Sequence, residues 1–102
     1  MTKVKPLLGR TGKPVANQYV IEKKLGNGYK DYWFQSYDSI IVYIDNYTPL
    51  DHSPFNGTYL DKKYWNYSMT TSKYRNQFLN ETTKETQAKI DRGQYKLVDL
   101  NS

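Results

Sequence analysis

Apolar and polar residues alternate along several short runs of this chain, in the pattern that β-strands show. Two such runs, at 17–25 and 29–36, flank Gly26-Asn27-Gly28, whose glycines suit a tight hairpin turn. The run at 40–45 is the most apolar of the chain, and its β-branched residues and short length favour a central strand over a helix. The pattern predicts two further strands, at 58–62 and 94–100.

The segment after residue 67 changes to a helical pattern. Ser68–Thr71 offer several side chains that can cap the start of a helix. Tyr74, Phe78 and Leu79 then share one helical face, and Asn80 is a natural end for the helix. We therefore expect these three apolar residues to belong to the core.

A second helix is predicted from its capping residues. Thr82 and Glu85 have the spacing of a capping box, and Gly93 follows a polar segment that ends at about Arg92. Together with the strands, the helices predict an α+β fold. We expect an antiparallel sheet of three to five strands with one or two short helices packed on one face.

The charge of the chain is concentrated at its N-terminus. The net charge is +5, and residues 1–16 contribute +4 of it because they hold four bases and no acid. Prolines and glycines interrupt this stretch, which predicts a basic N-terminal arm ahead of a single domain over 17–102. Its apolar part, Val4–Leu8, either adds a strand or folds back over the core. The arm either contacts phosphate or an acidic partner, or is a solvated tail. The four bases are Lys3, Lys5, Arg10 and Lys13.

The composition favours a folded protein of the cytoplasm. Aromatic residues make up 16% of the chain and include eleven tyrosines, whereas disordered chains are poor in aromatics. There are no cysteines, and the basic N-terminus lacks the apolar run of a signal peptide or a membrane span. We therefore expect a cytoplasmic protein without a membrane segment.

No group of residues predicts catalysis or a metal site. The single histidine, His52, lies beside Asp51 in the proline-rich loop 46–57, whereas metal sites use three or four protein ligands. The other carboxylates are scattered, and the motifs of phosphate-binding loops, dinucleotide sites and nucleophile elbows do not occur. We therefore expect no enzyme activity, no cofactor and no metal.

Aromatic and basic residues are interleaved between residues 62 and 75, in a mixture found at binding surfaces. Tyrosine, tryptophan and arginine are enriched at protein interfaces, whereas single-stranded nucleic acid is held by aromatic stacking together with phosphate contacts. The aromatics of a small domain also serve its core, so Trp65 has both interpretations. A second candidate surface is a sheet face with Tyr29, Trp33, Tyr37 and Tyr43. The predicted binding residues are Lys62, Lys63, Trp65, Tyr67, Lys73 and Arg75.

Three stretches of the chain carry a family pattern: ANQYVIE at 16–22, YWFQSYDSIIVYID at 32–45 and TYLDKKYWNYSMTTSKYRNQFL at 58–79. The sharpest parts are FQSY-x-S-I-I from Phe34 and W-x-Y-S-x-T-T-S-K-Y from Trp65. They resemble a family of small uncharacterised proteins that bacteriophages and other mobile elements of Gram-positive bacteria carry. The resemblance covers most of the chain and implies an origin and a fold, but no activity. The loop 46–57 is longer than the family pattern.

These observations predict a small non-enzymatic accessory protein of a phage or mobile element in the host bacterial cytoplasm. We expect it to act by stoichiometric binding to a host or phage protein, and an inhibitor of host defence is one version. The alternative is a single-stranded nucleic-acid-binding protein that uses the basic arm and the aromatic and basic surface at 62–75.

Overall fold

The computed structural model describes residues 2–46 and 55–101 of the chain. The predictions for Asp51, His52 and most of the loop 46–57 lie outside the described residues. The described residues form two α-helices, α1 (Met69–Leu79) and α2 (Thr83–Asp91), and one 3₁₀ turn at Gly26–Gly28. Its strands are β1 (Thr2–Leu8), β2 (Pro14–Lys24), β3 (Lys30–Ser36), β4 (Ser39–Ile44), β5 (Thr58–Asp61) and β6 (Tyr95–Val98).

All six strands form one sheet, in which each strand lies beside its neighbours in chain order. The first five strands pair antiparallel, whereas β6 pairs parallel to β5. The α+β class is confirmed, but the predicted count of three to five strands and the purely antiparallel arrangement are wrong. The extra strand is β1. The parallel pair arises because both helices lie between β5 and β6, and such a crossover returns the chain in its original direction.

Strand β1 includes Val4–Leu8, the apolar part of the N-terminal arm, for which the sequence predicts either a strand or a segment folded over the core. It pairs antiparallel with β2, and Val4 lies opposite Ile21. Lys3 and Lys5 are therefore part of the sheet edge, while Arg10 and Lys13 lie in the turn before β2. The turn uses the left-handed conformation of Gly12, which has φ 79°.

The predicted hairpins and helix ends are confirmed in the structure. β2 and β3 pair antiparallel across a turn in which Gly28 has φ 80°. Ser68 caps α1 by accepting a hydrogen bond from the Thr71 amide, and Asn80 ends the helix in the left-handed conformation. Both hydrogen bonds of the predicted capping box at the start of α2 are present.

The core lies between one sheet face and the helices. Phe34, Val42 and Leu60 occupy paired positions on three adjacent strands and are fully buried. The Phe78 ring of α1 stacks on Phe34 with a centroid distance of 5.6 Å. As predicted, Tyr74, Phe78 and Leu79 pack against this core.

A buried polar cluster joins the helices to β6. The Glu81 carboxylate accepts hydrogen bonds from the Thr86 and Tyr95 hydroxyls, at 2.9 and 2.6 Å, and an ion pair from Lys89. Burial alone raises the pKa of Glu81, but the bonds from Lys89, Tyr95 and Thr86 outweigh it, and the pKa is lowered from its ordinary value. The carboxylate therefore stabilises the fold in its ionised form.

A candidate binding surface around a tyrosine cleft

The segment 62–68 connects β5 to α1 and is fixed at its first residues by the carboxylate of Asp61. This side chain is buried, and its Oδ2 accepts hydrogen bonds from the backbone amides of Lys63 and Tyr64 at 3.1 and 2.8 Å. Its Oδ1 accepts a third from the Leu100 amide at 2.9 Å. Asp61 therefore holds the backbone of Lys63 and Tyr64 in one conformation and ties it to the residues that follow β6.

The end of the same segment is fixed by the start of α1. Ser68 is the N-cap of the helix, and its side chain binds the Thr71 amide at 3.1 Å. The Thr71 hydroxyl is in turn within 3.0 Å of the Ser36 hydroxyl at the end of β3, and both residues are buried. This pair ties the helix start to the sheet.

Arg75 anchors the middle of the segment from within the fold. Its guanidinium donates to the Trp65 carbonyl oxygen, to Asn76 Oδ1 at 2.8 Å and to Thr83 Oγ1 at 2.7 Å. It also lies 5.1 Å from the centre of the Trp65 ring, and the residue is fully buried. Burial lowers the pKa of Arg75 because the charged guanidinium has lost its water. In this structure Arg75 positions the segment and is not exposed to a partner.

A cleft of about 470 Å³ opens between this segment and the turn that joins β3 to β4. We call it the tyrosine cleft after Tyr37, Tyr64 and Tyr67, which line it together with serine and threonine hydroxyls. Tyr37 and Tyr67 are 54% and 68% exposed, and Met69 beside them is 92% exposed. The Tyr64 and Tyr67 rings meet edge to face at 5.3 Å. The cleft therefore presents large side chains to solvent from a backbone that is fixed at several points.

Tyr37 has an unfavourable backbone conformation for its residue type. Three non-glycine residues in the described part of the chain have φ in the left-handed region: Asn17, Tyr37 and Asn80. Asparagine tolerates this region, whereas for most L-residues it costs about 1–2 kcal/mol. A tyrosine at φ 55° in a two-residue turn is therefore strained, and strain of this kind is concentrated at functional sites.

The structure brings together only part of the predicted binding set. Lys62, Lys63 and Tyr67 are exposed on the segment, and the two lysines line a smaller cavity of about 210 Å³ beside Tyr64. Trp65 is half-buried under Arg75, so both belong to the support of the segment. Lys73 is exposed on α1 outside the cleft lining, with its Nζ 5.2 Å from the ring centre of Tyr74.

Of the three tyrosines that line the cleft, Tyr64 is the one that the predicted sets do not contain. Tyr37 belongs to the second candidate surface, and Tyr67 to the first, but the structure joins them across one cleft. No local pattern relates the residues around Tyr37 to those around Tyr67. The pairing of β3, β4 and β5 brings these two stretches side by side.

A model of the family described as "Family of unknown function (DUF8033)" matches residues 2–94, nearly the whole chain. The chain belongs to this family. Comparison with curated proteins and with solved structures gave no match. The function of this DUF8033 protein therefore has to be argued from its surfaces.

The helix-free face of the DUF8033 sheet carries a row of stacked aromatic rings. Trp33, Tyr43 and Tyr59 lie opposite one another on β3, β4 and β5. Their centroids are 4.9 and 5.6 Å apart, and successive rings are within 14° and 12° of parallel. Both faces of the Tyr43 ring are thus covered by its neighbours. Burial and the hydrogen bond to Asp31 raise the pKa of Tyr43, so its phenol stays protonated.

Within residues 2–46 and 55–101, the carboxylate side chains form no group of three or more that could hold a metal ion. The helices in these ranges are too short or too polar to cross a membrane. Tyr29, from the second candidate surface, is exposed at the far end of the β2–β3 hairpin and does not line the cleft.

Proposed function

We propose that this DUF8033 protein binds another protein stoichiometrically through the tyrosine cleft and catalyses no reaction. The observation that supports this most strongly is the combination of exposed Tyr37 and Tyr67 with a segment fixed by Asp61 and Arg75. A surface that is already ordered loses little conformational entropy on binding.

The composition of the cleft favours a protein as its ligand. Tyrosine is enriched in the centres of protein interfaces, and tyrosine among serine residues adapts to varied protein surfaces. Small-molecule pockets are lined mainly by hydrophobic side chains, whereas eight of the ten residues that line this cleft carry a hydroxyl group. Lys62 and Lys63 lie at the side of Tyr64, where a polar rim of the interface is expected.

Single-stranded nucleic acid is the weaker candidate for the aromatic surfaces. Bases stack on exposed ring faces. The faces of Tyr43 are covered by Trp33 and Tyr59, and Arg75 lies over the ring of Trp65. Both faces of Tyr43 and one face of Trp65 are therefore closed to a stacking base.

A comparison of two tyrosine variants tests the proposal. Tyr67 and Tyr29 are both exposed, at 68% and 51%, but only Tyr67 lines the cleft. Tagged wild-type protein and the Tyr67→Ser and Tyr29→Ser variants are used to capture partners from host lysate, and the amounts are quantified. We expect a stoichiometric partner that Tyr29→Ser retains and Tyr67→Ser loses by at least tenfold. Equal retention by the two variants would contradict the assignment of the cleft.

We further propose an origin in a phage or mobile element and action in the cytoplasm of the bacterial host, with inhibition of a host defence system as one version. This rests on the family pattern and on the general frequency of such binders among small phage proteins. Expression of the protein in a host that carries a defence system should then raise the plating efficiency of a sensitive phage, and Tyr67→Ser should abolish the gain. An unchanged efficiency across defence systems would exclude that version.

A further inference from the structure

A second surface of the protein is strongly basic and lies at the β1 end of the sheet. Lys3 and Lys5 alternate on β1, Lys24 lies on β2 and Lys30 begins β3. The register places Lys3 opposite Glu22 and Lys24 opposite Lys30. Because side chains two residues apart on a strand share a face, all four lysines project from the same face of the sheet. We call these four residues the lysine cluster.

A single acidic residue lies among the four lysines. Glu22 Oε1 is 3.1 Å from Lys5 Nζ, and its Oε2 is 3.6 Å from Lys30 Nζ. The hydrogen bond from Lys5 lowers the pKa of Glu22, so this carboxylate is ionised at neutral pH. Four lysines and one carboxylate leave a local charge of +3, whereas the net charge of the whole chain is +5.

The pair Lys24 and Lys30 contradicts the usual rule for strand pairing. These two residues are direct cross-strand partners, and like charges in that position destabilise a sheet. The preceding pair on the same two strands, Lys23 and Asp31, has opposite charges as the rule requires. The ion pair between Glu22 and Lys30 offsets part of this repulsion, and positions that break a local rule are expected at functional sites.

We propose that the lysine cluster binds the phosphate backbone of nucleic acid, independently of the tyrosine cleft. Lysine acts on phosphate as a point charge, and the strands place four lysines on adjacent backbone positions, with about 5 Å between neighbouring strands and about 7 Å between alternate residues of one strand. Protein interfaces, by contrast, are depleted in lysine. Contacts of this kind carry no base information, so the binding is independent of sequence.

Salt dependence gives the first test. If three to four phosphates are neutralised, the affinity for duplex DNA should fall roughly 40- to 150-fold between about 50 and about 200 mM salt, since the logarithmic slope is about −0.9 per phosphate. The measurement is fluorescence anisotropy of a labelled duplex, with a second duplex of unrelated sequence and a polyglutamate peptide as competitors. Failure of the wild-type protein to bind DNA at about 50 mM salt overturns the proposal. Stronger competition by polyglutamate than by unlabelled duplex overturns the choice of nucleic acid.

Variants then locate the site. The double variant Lys24→Gln/Lys30→Gln should reduce the magnitude of the salt slope by about 2, whereas Lys84→Gln, an exposed lysine on α2, should reduce it by less than about 0.5. Equal effects of the double variant and of Lys84→Gln would overturn the assignment to the cluster. Lys24→Glu should weaken DNA binding and yet raise the unfolding temperature, because it replaces a like-charge pair by an opposite one. A lower unfolding temperature would instead give Lys24 a structural role and overturn the argument from the like-charge pair.

Discussion

Replacement of Arg75 by alanine shows whether this residue supports the segment 62–68 from within the fold or contacts a binding partner directly. In the structure its guanidinium is fully buried and donates to the Trp65 carbonyl, Asn76 Oδ1 and Thr83 Oγ1. Arg75→Ala removes all three of these hydrogen bonds and exposes the face of Trp65, while the Asn76 and Thr83 side chains keep the hydrogen bonds that join them to each other. An exposed arginine of a binding surface would lose none of these contacts.

The expected loss of stability is about 3 kcal/mol. Each of the three lost hydrogen bonds costs about 1 kcal/mol, and the packing of the arginine stem on Trp65 is lost as well. The desolvation of the guanidinium, which lowers the pKa of Arg75, offsets part of this loss because the variant no longer buries a charge. A domain of this size has a total stability of about 5–15 kcal/mol, so the variant should remain folded but melt roughly 15 °C lower.

The assay is urea denaturation followed by tryptophan fluorescence, with thermal unfolding as the second measurement. Lys73→Ala is the matched control, because Lys73 is an exposed cation on the same helix and its loss should change stability by less than about 0.5 kcal/mol. If Arg75→Ala and Lys73→Ala unfold at the same urea concentration, the buried placement of Arg75 is refuted, and the residue would return to the binding set.

Three further predictions concern single residues of the fold. Tyr37→Asn should be about 1 kcal/mol more stable than Tyr37→Ala, since asparagine tolerates the left-handed conformation. Equal stability of the two variants in urea denaturation would show that the turn is not strained. Glu81→Gln should destabilise the protein by about 2 kcal/mol near neutral pH. Because the folded pKa of Glu81 is lowered, its contribution to stability is complete above the ordinary value of 4.5 and is lost as the pH falls through the folded pKa. The stabilities of wild type and variant should therefore converge in acid. A difference in urea midpoint that stays constant with pH would contradict this. Gly57→Ala should destabilise the protein by at least about 2 kcal/mol, because Gly57 has φ 89° and an added Cβ would collide with the Asp45 carbonyl. Gly12→Ala is the control: Gly12 has φ 79° but lies in open space, so strain alone should cost about 1 kcal/mol. Equal unfolding midpoints of the two variants would rule out the collision.

The parts of the fold that depend on local patterns were predictable from the sequence. The capping box at Thr82 and Glu85, the N-cap at Ser68 and the glycine turn before β3 use residues whose backbone preferences are nearly independent of context. The conformation of β1 does not follow from the local pattern, because Pro6 and the nearby glycines weaken the strand pattern and the pairing with β2 depends on distant residues. The parallel placement of β6 likewise depends on how two helices pack, which no local pattern encodes.

The candidate surfaces were less predictable, for a physical reason. A basic residue close to aromatics in the sequence can be an exposed contact residue of an interface or a buried residue that supports the fold. Arg75 is buried and supports the fold. The tyrosine cleft joins residues about thirty positions apart, and the lysine cluster depends on a strand register that places Lys24 opposite Lys30. Registers and cavities of this kind arise from the packing of the whole sheet.

Binding of a protein at the tyrosine cleft is tested most directly by a photo-cross-linking phenylalanine analogue placed at Tyr67, with the same analogue at Tyr29 as the control. Both positions are exposed, so the analogue should disturb neither the core nor the strand pairing. After irradiation in host cells, we predict one dominant cross-linked protein at position 67 and none at position 29. Cross-links of equal yield and identity at the two positions, or none at position 67, would contradict the account.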